Sequence, residues 1–257
     1  PLITSSILSK KIASGLSSLV LDVKVGNGSF NSTIDIARDL SNSLVRVAKG
    51  AGLHCEAILT DMNQVLGKSA GHTLEILECI KYIKNDFKDH RLEKITNELI
   101  SSLLVNIYKI SKEEAYNKIN TVINNGLAAE KFEMMVAALG GPKNILTSYE
   151  KDLTNTSIQK DIFSIEGGWI ENIHTRELGL ILIELGGGRK QVTDKINYGV
   201  GYDNVLNIGD EVNSSTPLLS LYSSKNIDNN LINKIKGCFI ISDKKTQKLS
   251  EIFETIN

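Results

Sequence analysis

Ser6 and Lys10 stand four residues apart in a segment where Ile7, Leu8 and Ile12 recur at helical spacing. A hydroxyl and an ammonium therefore share one helix face with Ile7 beside them. Such a trio could hold a flat polar ring, the two donors serving its oxygens and nitrogens while the aliphatic chain lies against its face. A serine and a lysine at this spacing are also what an ordinary solvated helix carries, so the pattern alone does not decide. Other candidates carry less chemistry. Gly186-Gly187-Gly188-Arg189 offers backbone N–H groups and a guanidinium to an anion. His54, His72, His90 and His174 stand with no carboxylate or cysteine at a metal or triad spacing and read as surface or loop residues. Glu113 and Glu114 point to different sides of a helix and read as a solvated face. Cys55, Cys79 and Cys238 are odd in number, widely separated and free of any C-x-x-C pair, so they read as reduced thiols used as small buried hydrophobes.

The elements that would position the pair follow from periodicity. Thr4 or Ser5 can cap the opening helix and Gly15 can end it. Ser18 to Val25 is aliphatic and β-branched and runs into Gly26-Asn27-Gly28, which predicts a strand and a turn. From Ser32 to Lys49 the apolar residues fall at helical spacing, ending at Gly50-Ala51-Gly52, and Cys55 to Leu59 reads as a second strand. Strand, helix and strand with short joints make the βαβ unit of a parallel sheet. Three or four more helical patterns lie between His72 and Leu139, one of them at 112–124, before Gly140-Gly141-Pro142 interrupts the series. Beyond about Leu153 the texture changes to short runs with frequent glycine. Phe163 to Ile165, Gly168 to Ile173, Val205 to Val212 and Pro217 to Tyr222 read as strands around a helix near Thr175 to Leu185.

Composition excludes several classes of function. The 29 basic and 30 acidic side chains of the 257 residues nearly cancel and gather into no block, which argues against nucleic acid or an anionic membrane as partner. The longest apolar runs, such as Leu178 to Ile183, fall far short of the ~20 residues of a membrane span, and no signal segment is present. The expectation is a cytoplasmic globular protein. Pro1 opens in the middle of an apolar stretch, as the start of a fragment would.

Longer words decide more than spacing does. Leu2-Ile3-Thr4-Ser5-Ser6-Ile7-Leu8-Ser9-Lys10-Lys11 is followed by Gly15-Leu16 and then by Leu21-Asp22-Val23-Lys24-Val25-Gly26-Asn27-Gly28-Ser29-Phe30. Thr60-Asp61-Met62-Asn63-Gln64, Ser69-Ala70-Gly71 and Leu74-Glu75 with Glu78 come next in order. The sequence resembles the thymidine and pyrimidine-nucleoside phosphorylase family over nearly its whole length, more loosely after about residue 225.

The resemblance implies phosphorolysis of a pyrimidine nucleoside: phosphate attacks C1′ and the base departs, giving thymine and 2-deoxyribose 1-phosphate from thymidine. It implies that Ser6 and Lys10 hydrogen-bond the pyrimidine and carry the catalytic charge stabilisation, and that Ile7 and Phe30 are apolar contacts with the base. No organic cofactor is implied, with inorganic phosphate as co-substrate. A potassium ion at Leu66, Ser69 and Glu78 is a further implication, the first two giving carbonyls and the third a carboxylate; Ser69 replaces an alanine often found there. The family's phosphate loop and its base-binding arginine map before Pro1, so these 257 residues alone are expected to be inactive. Gly186 to Arg189 becomes a structural element of a C-terminal subdomain.

The fold implied is α/β, with a parallel or mixed sheet flanked by helices. Residues 1–16 would be the remnant of an all-α lobe, 17–150 the α/β domain, and 151–257 a β-rich, hammerhead-like α+β subdomain. The family is usually a homodimer through its helical lobe. Two rivals stand beside this reading: a nucleotide phosphorylase or phosphoribosyltransferase relative of the same fold, and a non-catalytic binding or structural fragment.

Overall fold

The computed structural model describes residues 2–153 and 158–257. In chain order the elements are α1 (Leu2–Ala13), β1 (Ser18–Val25), α2 (Ile34–Gly50), β2 (His54–Asp61), α3 (His72–Ile83), α4 (His90–Tyr108), α5 (Lys112–Asn124), α6 (Leu127–Ala138) and α7 (Ile145–Asp152). There follow β3 (Ile158–Phe163), β4 (Gly168–Ile173), α8 (Thr175–Leu182) with a wide π turn at Ile183–Gly187, β5 (Gly201–Asp203), β6 (Glu211–Val212), β7 (Pro217–Ser223), α9 (Asn229–Lys236), β8 (Phe239–Ser242) and β9 (Ile252–Ile256). The chain is a mixed α/β protein with small sheets. Packing gathers it into two compact units: Pro1–Met62 with Arg91–Thr121 and Ser250–Asn257, and Asn63–His90 with Val122–Leu249.

The first unit is built on the βαβ pattern that the periodicity predicts. β1 and β2 pair in parallel from Ser18 opposite His54 to Val25 opposite Asp61, and α2 connects them. Alternation puts Leu19, Leu21, Val23 and Val25 on one face of β1, where they pack with Ala37, Leu44, Val45 and Ala48 of α2. Thr33 caps α2 by accepting the Ile36 N–H at 3.4 Å. α1 is too short to be stable in isolation. It is held because Leu8 is buried in this core, which contributes about 1.5–3 kcal/mol, and because Thr4 Oγ1 lies 3.0 Å from Ser43 Oγ on α2. The helix runs from Leu2, earlier than a cap at Thr4 or Ser5 would have it, and the Thr4 hydroxyl makes a tertiary contact instead.

The second unit holds two antiparallel sheets, ordered β3-β7-β5 and β6-β4-β8. Their core includes Ile162, Ile170, Ile173, Leu178, Tyr202 and Leu221, and a smaller cluster joins α3 to α7 through Ile80, Ile145 and Tyr149. Two strands differ from the pattern reading. Pairing with β7 covers 158–163 rather than 163–165, and of 205–212 only Glu211–Val212 is strand. Gly209 has φ +86° and the Asp210 carboxylate accepts the Asn207 N–H at 2.8 Å, so this stretch is a turn. Among the described residues no helix is long and apolar enough to cross a membrane.

Candidate active site

Within the first unit, α1 shows what surrounds the Ser6 and Lys10 pair. Thr4 and Leu8 are its buried residues. At 100° per residue, Ile3, Ser6, Ile7 and Lys10 form an i, i+3, i+4, i+7 stripe turned away from them. Ser6 and Lys10 are exposed, Ile7 is half-buried against the core and Ile3 is 62% exposed. The stripe alternates aliphatic surface with two donors on a helix whose other side is fixed.

Phe30 sits on the loop that leaves β1, at the end of the two parallel strands where α/β sheets bind ligands. The loop is closed by many short bonds. Gly26 N–H donates to Asn31 O, Gly28 N–H to Met62 O just past β2, and Ser29 Oγ and Asn31 Nδ2 both donate to Lys24 O. A rigid loop holds Phe30 out at 95% exposure. Among the described residues it joins none of the apolar clusters. Below it, Asp22 accepts from Thr60 Oγ1 at 2.5 Å and lies 2.7 Å from Lys24 Nζ. That ion pair is close but poorly aligned, for the buried Lys24 ammonium completes no hydrogen bond. At the end of β2, Arg91 Nη2 donates to the Asp61 carbonyl at 2.7 Å and lies 3.1 Å from its carboxylate. Neither cluster stood out from residue spacing. Their only signal is that Asp22, Lys24, Thr60 and Asp61 fall inside the long words quoted above.

Within the second unit, Ser69 and Glu78 come together and Leu66 begins the loop that brings them. Glu78 Oε1 accepts Lys68 N–H at 2.7 Å; Oε2 accepts Ser69 N–H at 3.2 Å and also the Ser69 hydroxyl. A side chain at Gly67 would run into the carboxylate, so the backbone wraps it closely. Glu78 lines a cleft of about 360 Å³ with Lys68, Leu74, Lys81, Tyr149 and Asn204. Three donors already meet the two oxygens. A monovalent cation added at that carboxylate would face the positive ends of those three dipoles, so the donors around Glu78 do not favour it. No group of three or more His, Cys, Asp or Glu able to hold a metal occurs among the described residues.

The other sequence candidates resolve simply. A side chain at Gly187 would press on Leu182 and one at Gly188 on Ile183, so these glycines serve close packing of the π turn. The four histidines are exposed, as are Glu113 and Glu114. Burial pushes the Cys55 and Cys238 thiols up to about 11, far from nucleophilic. Cys79 corrects the expectation of a buried hydrophobe, because it is exposed; partial desolvation and then Glu78 and Glu75 still hold its thiol above the usual range.

Residues 169–242 match the model of the pyrimidine nucleoside phosphorylase C-terminal domain. Over 224 residues the chain is 44% identical to the thymidine phosphorylase of Colwellia psychrerythraea, an alignment that covers 87% of this chain. This chain belongs to the thymidine and pyrimidine-nucleoside phosphorylase family. It spans about half, 51%, of the length of that curated relative. The matched phosphorylase domain, 169–242, lies within the second unit and takes in β4 to β8. The 87% coverage also requires the alignment to extend well beyond that domain into the α/β part of the chain.

Proposed function

We propose that this phosphorylase-family chain supplies the base-holding half of a pyrimidine-nucleoside phosphorolysis site, thymidine and phosphate giving thymine and 2-deoxyribose 1-phosphate. Ser6 and Lys10 donate to the pyrimidine ring, and Ile7 and Phe30 lie against it. The difficulty of the reaction is the leaving group, since the departing pyrimidine gains electron density on its oxygens and ring nitrogen. Donors aimed at those atoms, and a positive charge close by, stabilise the transition state more than the bound nucleoside. An ammonium is suited to this, being a compact charge with three donors. The observation that carries the reading is the α1 stripe, with Ser6 and Lys10 one turn apart, both open to a ligand, on a helix anchored through Thr4 and Leu8. Phosphate, the co-substrate, is held by residues beyond these 257, so the chain by itself binds base without turning it over. In this reading the complete enzyme is a cytoplasmic homodimer with no organic cofactor.

Titrating thymine or uracil into the isotope-labelled chain will move the amide resonances of Ser6, Ile7, Lys10 and Phe30 together. Perturbation confined to other residues would remove the α1 stripe from the site. Incubating the same chain with thymidine and phosphate will release no thymine above blank. Measurable release would show that a phosphate site lies within these residues after all.

A further inference from the structure

The arrangement around Glu78 differs from what a cation site needs, and the difference is itself a device. Residues 67–71 form a strap tied at four points. Glu78 receives Lys68 N–H, Ser69 N–H and the Ser69 hydroxyl. Glu75, one turn earlier on α3, accepts Gly71 N–H at 2.8 Å. Ala70 exchanges both backbone bonds with Tyr202 of β5, at 3.0 and 2.7 Å. Lys68 Nζ reaches Val205 O at 3.3 Å and Asp210 at 3.4 Å. The strap thus joins α3 to β5 and the turn that follows, with Glu78 as its central acceptor.

A carboxylate that accepts two amide N–H groups and a hydroxyl is stabilised by charge-assisted bonds, each roughly twice as strong as a neutral one. Of these three donors only the hydroxyl depends on residue type, because any residue but proline at 68 or 69 supplies the N–H. Alanine at 69 would remove that donor and leave room on Oε2 for an ion. We propose that the Ser69 hydroxyl takes the place of a monovalent cation at Glu78, closing the 67–71 strap by hydrogen bonding alone and making this unit indifferent to potassium. The inference concerns the strap's stability and does not rest on base binding.

Thermal unfolding of the purified chain tests it, in potassium chloride and in tetramethylammonium chloride at equal ionic strength, the second cation being too large to coordinate a carboxylate closely. Glu78 lines an open cleft, so potassium can reach it. The wild-type Tm will agree in the two salts at every concentration. Ser69→Ala will lower Tm by about 3–10 °C in tetramethylammonium, as loss of a hydrogen bond to a charged group does for a unit of this size. In a Glu78→Gln background, Ser69→Ala will cost less than half as much, because the coupling requires the carboxylate. A saturable rise of the wild-type Tm with potassium, absent with tetramethylammonium, overturns the proposal even if the variants fail to fold. So does a Ser69→Ala cost that is the same in both backgrounds.

Discussion

Asp61→Ala will destabilise the first unit by about 3–5 kcal/mol, the usual cost of removing one partner from a buried ion pair. Both side chains are almost wholly inaccessible, with exposures of 5% for Arg91 and 0% for Asp61. The guanidinium reaches the carboxylate and the carbonyl of the same residue, so it clamps the last residue of β2 by side chain and backbone together. Asp61 also closes the sheet from both sides. It is the last register partner of Val25, its N–H donates to Glu251 O at 3.0 Å, and the next N–H, of Met62, donates to Val25 O at 2.6 Å. Taking the carboxylate away removes one counter-charge from a buried guanidinium, whose desolvation is then less well offset. Replacing both partners with apolar residues of similar volume, Asp61→Leu with Arg91→Met, will cost less than Asp61→Ala, since neither charge of the pair is then left buried without the other. Native-state hydrogen exchange on the β1 and β2 amides measures this directly. A loss of 3–5 kcal/mol speeds exchange through unfolding by on the order of a hundred- to five-thousand-fold. Exchange within tenfold of wild type for Asp61→Ala would mean that water or other groups already compensate the pair.

What the sequence made legible depended on how local the cause was. β1 is found to the residue at Ser18–Val25 because alternation and the turn after it are local signals. α2 and the four helices from α3 to α6 follow from apolar spacing within each segment. β9 is different. Its Ile256 pairs with Ala57 some two hundred residues earlier, and nothing within 252–256 announces that partner. α9 and β8 went unread in the looser C-terminal stretch, although Asp228 caps α9 by accepting Leu231 N–H at 2.8 Å.

The candidate site divides in the same way. The common face of Ser6 and Lys10 is fixed by helix geometry, and any sequence with that spacing predicts it. The exposure of Phe30 depends on a loop closed onto Met62, the residue that follows the second strand. At Glu78, the choice between carbonyl and N–H donors depends on which way each peptide plane faces. Because N–H and C=O point in opposite directions across a planar trans peptide, turning the Lys68 and Ser69 N–H groups toward the carboxylate turns the carbonyls of Gly67 and Lys68 away, while the Ser69 carbonyl of the expected ion site belongs to the next plane, whose Ala70 N–H donates to Tyr202 O. Residue types do not encode that choice.

Lys10→Ala, in a polypeptide that joins these residues to a phosphate-binding segment, will lower kcat for thymidine phosphorolysis by on the order of a hundredfold, the cost typical of losing one donor to developing negative charge. Folding will not account for the loss. Lys10 is exposed on α1, and substitution of an exposed helix residue changes stability by about 0.5 kcal/mol or less. The bonds from Ser14 N–H and Ser14 Oγ end on the Lys10 carbonyl, which alanine keeps. Ser6→Ala removes a neutral donor rather than a charge and will cost about fivefold to tenfold. The split between parameters separates the roles. A group that strengthens its hold only as the pyrimidine departs lowers kcat and kcat/KM alike, whereas one that merely holds the nucleoside raises KM. Lys10→Arg restores charge but not a compact point donor, so its rate will lie between wild type and Lys10→Ala. A Lys10→Ala enzyme with unchanged kcat and raised KM would keep Lys10 as a binding group and deny it the charge-stabilising role; one unchanged in both would place the pyrimidine elsewhere than on the α1 stripe.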